Sequence, residues 1–91
     1  MEETLQHSYL PEILELMRSS ASDADFAERL SDYHESDIAD ALAALTPRER
    51  KIVYPALTTE YLSDIFAYMD GAHEYLRELS HEQAAKIIAY M

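Results

Sequence analysis

Helix-start signals divide this chain into short segments. Thr46-Pro47-Arg48-Glu49 and Ser80-His81-Glu82-Gln83 have the capping-box pattern, in which a hydroxyl and a Glu or Gln side chain satisfy free amides at a helix start. Ser22, Ser36 and Thr58 are further candidates for N-cap residues. Because short helices are marginal until they pack on neighbours, the sequence predicts short helices that are stable only as a stack.

The spacing of apolar residues completes the helices between these starts. A first helix is predicted over about residues 8–18, with Pro11 in its first turn, and a short helix over about residues 72–78. Pro55 is expected to end or kink the fourth helix near Tyr54, and Asp70-Gly71 to end the fifth. The residues expected to face the core, helix by helix, are Leu10, Ile13, Leu14 and Met17; Phe26 and Leu30; Ile38, Ala41, Leu42 and Leu45; Ile52 and Val53; Leu62, Ile65, Phe66 and Met69; and Ala84, Ile87, Ile88 and Met91.

Composition and an internal repeat indicate the fold class. A single glycine and three prolines among many helix-forming residues favour an all-α fold, and 91 residues suit one small domain. Residues 65–69 and 87–91 match in type at every position, with an offset of 22. We therefore expect residues 1–91 to form a single helical domain, a right- or left-handed superhelix of short stacked helices of the armadillo-like class.

The charge balance limits the partners of the chain. Eighteen acidic and seven basic residues give a formal net charge of −11, which repels nucleic acid and anionic membranes. No uncharged stretch approaches the ~20 apolar residues that span a bilayer, so direct membrane insertion is not expected. The chain lacks cysteine and begins with acidic residues where a signal peptide would be basic. These features predict a cytoplasmic chain that attracts cations or basic partners.

Sequence motifs of enzymes and zinc sites are not found. The chain has no nucleophile elbow and no glycine-rich phosphate loop, so we expect no enzymatic activity. His7, His34, His73 and His81 lack the i, i+4 spacing of a helical zinc-ligand pair. We therefore expect His34, beside the third helix start, to have a structural hydrogen-bonding role.

One stretch of the chain resembles a known family. Residues 33–50 read YHESDIADALAALTPRER, and residues 79–85 read LSHEQAA. The first run is similar to the N-terminal domain of MgtE-type magnesium transporters, whose pattern His-Pro-x-Asp-Ile-Ala-Asp-Leu-Leu leads to a Pro-x-Glu-Arg helix start. The second resembles that family's repeated Leu-Ser-Pro-Glu unit. The resemblance covers about residues 26–91, with Glu35 and His81 at positions where the family usually has proline.

The resemblance implies a regulatory function. In that family the N-domain precedes a pair of CBS domains and a membrane pore, and Mg²⁺ bound between the N-domain and the CBS domains holds the pore closed. The chain would then be a cytosolic magnesium-sensing fragment of a longer, homodimeric membrane protein, with CBS domains of the same transporter as its partner. Binding of Mg²⁺ by the fragment alone would be weak.

Candidate metal ligands follow from the same resemblance. Asp64, just before the inward-facing Ile65, matches the family's acidic residue on the fifth helix, and would hold Mg²⁺ together with the partner domain. An exposed helix-face carboxylate without a ligand is the alternative interpretation of this residue. Glu35, Asp37 and Asp40 are weaker candidates, because acidic residues at a helix start also stabilise the helix dipole.

A second functional interpretation involves no ion. The motor switch protein FliG builds similar stacked short helices, so the chain could be a non-catalytic protein-interaction scaffold. Tyr68 and Tyr90 each precede a methionine predicted to face inward, and we expect both at the edge of a groove that a partner could use. The acidic stripe of Asp25, Glu28 and Asp32 is expected to be a solvated helix face.

Overall fold

The computed structural model describes residues 9–90, and this part of the chain is all-helical, without strands. The all-α prediction is therefore confirmed. The helices are α1 (Leu10–Ser20), α2 (Phe26–Leu30), α3 (Glu35–Ala44), α4 (Pro47–Val53), α5 (Thr59–Phe66), α6 (Ala72–Leu76) and α7 (His81–Tyr90), with a 3₁₀ turn over Tyr54–Ala56.

The four longer helices form a continuous row. Helix α1 packs on α2 and α3, α3 packs on α5, and α5 packs on α7. Leu42, Ile65 and Ile87, which lie on three helices of this row, are fully buried as predicted. Within residues 9–90, no helix is both long and apolar enough to cross a membrane. The packing order is the feature that brings the start of α3 beside the end of α5.

Three of the predicted helix starts are confirmed. The Thr46 hydroxyl accepts a hydrogen bond from the Glu49 amide at 3.2 Å, and the Glu49 carboxylate accepts one from the Thr46 amide at 2.9 Å. The hydroxyls of Thr58 and Ser80 likewise accept hydrogen bonds from the amides three residues further on. As expected from Pro55, α4 ends at Val53, and the 3₁₀ turn follows directly.

Two predicted N-caps are wrong. Helix α1 continues to Ser20, Ser22 lies in the following turn, and α2 begins after Asp25. The Ser19 hydroxyl bonds to the Glu15 carbonyl, so this serine is accommodated inside α1 instead of ending it.

At the start of α3 the cap is His34, not Ser36. The His34 ring nitrogen Nδ1 accepts a hydrogen bond from the Ser36 amide at 3.0 Å, and α3 therefore begins at Glu35. The imidazole takes the place of the hydroxyl or carboxylate that usually caps a helix. The prediction that His34 has a structural hydrogen-bonding role is confirmed.

The predicted end of α5 is also wrong. Helix α5 ends at Phe66, and residues 67–70 form turns. Gly71 instead precedes the first residue of α6 and has a left-handed backbone, with φ +66°. Glycine adopts this geometry without a steric penalty. Helix α6 is two residues shorter than predicted and ends at Leu76.

Two residues predicted to face inward are exposed. Ile52 is 63% exposed, because Arg50 and Val53 occupy the inner face of the short α4. Ile88 is 58% exposed, since α7 buries the face that carries Ile87 and the next residue lies about 100° further round the helix. The predicted inward position of Met91 and the predicted helix start near Ser8 lie outside the described residues.

Candidate functional site

The main candidate ligand and one of the weaker candidates share a cleft. Glu35 is the first residue of α3, and Asp64 lies on the exposed side of α5. Together with Ala67 and Tyr68 they line an open cleft of about 330 Å³. The structure thus brings together two carboxylates that are 29 residues apart in the sequence.

Local structure explains why both carboxylates reach this cleft. The His34 cap fixes the first turn of α3, and the ring of His34 also contacts the ring of Tyr68 edge-on, with 5.4 Å between centroids. On α5, Ile65 is fully buried, so Asp64, one position earlier, is directed to the surface. Packing of α3 on α5 then places the two acidic positions side by side.

The electrostatics of Tyr61 support this placement. Burial raises the pKa of the Tyr61 hydroxyl, and the negative charges of Glu35 and Asp64 raise it further. This hydroxyl is buried and has no hydrogen-bond partner among the described residues. Both carboxylates therefore lie close enough to Tyr61 to raise the pKa of the same hydroxyl group.

The donor set of the cleft fits part of a magnesium site. Within residues 9–90, neither Glu35 nor Asp64 forms an ion pair, so both carboxylates are available. Magnesium prefers oxygen ligands, keeps several waters, and is commonly held by one or two carboxylates. No three His, Asp or Glu side chains of the described residues come together as a metal-binding group. The cleft therefore has two side chains with oxygen donors, and a bound ion would need water or a partner to complete its coordination.

The two other weaker candidates lie elsewhere. Asp40 is exposed and lines a second cleft, which shares Tyr68 with the first. Asp37 is half-buried in the first turn of α3 and lines neither cleft. Its position suits an interaction with the helix dipole. Of the three acidic residues proposed at the α3 start, the structure places Glu35 alone beside Asp64.

Sequence reasoning missed a buried arginine that, in the part of the chain that the structure describes, bonds to a carboxylate and to two backbone carbonyls. Arg50 is 7% exposed, and its Nε and Nη2 atoms each donate to the Glu78 carboxylate at 2.8 Å. Its Nη1 atom donates to the carbonyls of Leu42 and Leu45. The Tyr54 hydroxyl donates to Glu78 at 2.7 Å. We call Arg50, Tyr54 and Glu78 the Arg50 network.

The pKa values of the network show how strongly its members interact. Hydrogen bonding to Arg50 lowers the pKa of Glu78, against the opposing effect of burial. The same hydrogen bonds raise the pKa of Arg50, and burial raises that of Tyr54. A signal was present in the sequence: Arg50 shares its helix face with the apolar Val53, and a charged residue on an inward face requires a buried partner.

The remaining predicted surface residues are found at the surface. Tyr68 and Tyr90 are 55% and 59% exposed. Asp25, Glu28 and Asp32 are exposed as predicted, and Asp25 lies 3.8 Å from Arg29.

Comparisons with known proteins identify the family. The family model of the MgtE intracellular N domain matches residues 33–91, which is more than half of the chain. Comparisons with curated proteins and with solved structures gave no significant match. The matched range contains the whole of the Glu35–Asp64 cleft and the Arg50 network. The chain therefore belongs to the MgtE intracellular N-domain family, a family of regulatory domains of magnesium transporters.

Proposed function

We propose that this chain is a cytoplasmic magnesium-sensing domain that docks on the CBS domains of its transporter through shared Mg²⁺. Glu35 and Asp64 would supply carboxylate oxygens to the ion. The observation that carries the proposal is their position in one open cleft without ion-pair partners among the described residues. Membership of the MgtE N-domain family supports the assignment to a magnesium transporter. The CBS partner is what the resemblance to that family implies.

The physical basis of sensing is charge compensation between two surfaces. A chain of net charge −11 is repelled by another acidic module unless cations lie between them. Bound Mg²⁺ would supply that positive charge at the contact. At low magnesium the repulsion separates the two modules, and at high magnesium the shared ion holds them together, which in the intact homodimeric transporter closes the pore.

The isolated chain should then bind magnesium weakly, because part of the ligand set belongs to the partner. Millimolar Mg²⁺ is expected to stabilise the fold slightly, and a sodium salt of equal ionic strength should reproduce most of that effect through screening. Adding the CBS domains should increase the apparent magnesium affinity, since the ion then links two proteins.

The test is transport by the intact protein as a function of internal magnesium. We expect Asp64→Asn and Glu35→Gln each to leave the pore open at magnesium concentrations that close the wild type. Glu28→Gln is the matched control, because Glu28 is an exposed acidic side chain on α2, outside the cleft. Wild-type gating by Asp64→Asn would mean that Asp64 is an ordinary surface residue.

Docking of the two parts can be measured separately from gating. Titration of the chain into the CBS domains, with and without Mg²⁺, should show binding that depends on the ion and is weakened by Asp64→Asn. Strong binding that is unchanged by a chelator would favour the interaction-scaffold interpretation instead.

A further inference from the structure

A second groove shares Tyr68 with the Glu35–Asp64 cleft. It has a volume of about 180 Å³ and runs between α3 and the connection from α5 to α6. Five of its seven lining residues are apolar or aromatic, and the other two are acidic. We call it the Tyr68 groove; it is lined by Ala39, Asp40, Ala43, Tyr68, Met69, Asp70 and Tyr75.

The charge of the groove is uncompensated. Neither Asp40 nor Asp70 forms an ion pair within residues 9–90, and no basic side chain lines the groove. Glu49, in contrast, pairs with Arg18 at 3.0 Å. The groove therefore carries negative charge beside an apolar surface, which is complementary to a cation on an aliphatic stem.

Tyr68 gives the groove an exposed aromatic wall. Tyr68 is 55% exposed although it lines both clefts, while Met69 and Tyr75 are half-buried. Tyrosine and arginine are enriched among the residues that dominate protein interfaces, because a large flat ring offers contact area at low entropic cost. An exposed tyrosine beside two free carboxylates is thus a suitable anchor for a basic side chain.

The molecule already uses this chemistry internally. The Arg50 guanidinium carbon lies 4.8 Å from the centre of the Tyr75 ring, and the same guanidinium makes two hydrogen bonds to Glu78. A tyrosine ring and a carboxylate together therefore hold one guanidinium in the core. Tyr68 with Asp40 and Asp70 offers the same combination of groups at the surface.

We propose that the Tyr68 groove binds an arginine side chain presented by a protein partner. The guanidinium group would pair with Asp40 and Asp70, and the aliphatic stem would lie against Tyr68 and Met69. Arginine fits better than lysine, because its planar group both stacks on a ring and forms paired hydrogen bonds to carboxylates. This contact does not require Mg²⁺, and it is separate from the proposed magnesium ligands.

The test uses N-acetyl-arginine amide as the probe in an NMR titration of the full chain in EDTA. N-acetyl-citrulline amide is the control, since it has nearly the same shape without the charge. We expect saturable shifts of the Asp40, Tyr68 and Asp70 amides with the arginine probe, with a Kd on the order of 1–10 mM because one side chain lacks the rest of an interface. Citrulline should produce no saturable shift there.

Substitutions in this chain test where the arginine probe binds. Tyr68→Ala should weaken binding by about two- to fivefold, the range expected for an exposed cation–π contact, whereas Tyr90→Ala, which removes a tyrosine of equal exposure on α7, should not. The double variant Asp40→Asn and Asp70→Asn should abolish the shifts, and Glu28→Gln should retain them. The proposal is overturned if citrulline binds equally, or if the arginine probe shifts exposed acidic residues over the whole surface alike. Because magnesium is absent, failure here leaves the proposed magnesium function intact.

Discussion

The acidic side chains of the Arg50 network and of the Glu35–Asp64 cleft differ in whether a positive charge is paired with them. In the network, the Glu78 carboxylate receives hydrogen bonds from Arg50 and Tyr54 and is mostly shielded from water. In the cleft, both carboxylates lack ion-pair partners among the described residues. The first arrangement holds helices together, whereas the second adds repulsion to an already acidic chain. The proposed magnesium site would use charge that does not help the fold.

The network owes its structural role to the elements that it joins. Arg50 lies on α4, its Nη1 atom donates to carbonyls at the end of α3, and Glu78 follows α6. An arginine at the end of a helix both satisfies free carbonyls and interacts well with the helix dipole. Removal of one partner from such a pair costs more than the pair itself contributes, because the other charge stays buried.

The largest expected effect follows from breaking the network. Glu78→Ala should lower the free energy of unfolding by about 3–5 kcal/mol, since the Arg50 guanidinium would be left buried without its carboxylate. Glu74→Ala, at an exposed acidic residue of α6, should change it by less than about 0.5 kcal/mol. Urea unfolding of both variants is the measurement. Equal midpoints would show that Glu78 contributes no more to stability than an exposed acidic residue.

Acidification should weaken the same network. Hydrogen bonding to Arg50 lowers the pKa of Glu78 in the folded chain below the ordinary glutamate value of about 4.3, which applies in the unfolded chain. The unfolded state therefore binds the proton first. The stabilisation is fully present above the unfolded pKa and is lost as pH falls through the folded pKa.

The pH prediction is tested by urea midpoints measured from about pH 7 down to pH 3. Wild-type stability should fall more steeply below about pH 5 than that of Glu78→Gln, which cannot titrate at this position. The comparison also removes the opposite effect of acid, relief of self-repulsion, since both proteins share the other acidic groups. Parallel curves would indicate that Glu78 has the same pKa in the folded and unfolded chains.

Local signals in the sequence were sufficient for the fold class and for much of its division into helices. The capping box at Thr46 and the helix starts at Thr58 and Ser80 depend on hydrogen bonds within three residues, which a sequence pattern can specify. The partners Arg50 and Glu78 are 28 residues apart, and no local pattern connects them. Long-range pairing therefore had to come from the structure.

In the candidate site, too, part of the arrangement could be predicted from the sequence and part required the structure. The family resemblance marked Asp64, but the choice of Glu35 over Asp37 as its neighbour depends on where the His34 cap starts α3. Periodicity also predicted more buried residues than α4 and α7 can cover, so Ile52 and Ile88 were assigned to the core and are exposed. A helix with one packed face buries part of its apolar set, and the sequence alone does not tell which part.

The smallest expected effect is that of neutralising the cleft, and it completes the contrast with the Arg50 network. Asp64→Asn should change the free energy of unfolding by less than about 0.5 kcal/mol, because an exposed carboxylate without an ion pair contributes little to the fold. The sign should be slightly stabilising, since the substitution removes one negative charge from a chain of net charge −11. Thermal unfolding at low ionic strength, where repulsion is least screened, is the most sensitive measurement. Added sodium chloride should reduce the small gain of the variant over the wild type. A loss of more than about 1 kcal/mol would mean that Asp64 supports the structure, in which case an effect of Asp64→Asn on gating could no longer be attributed to magnesium.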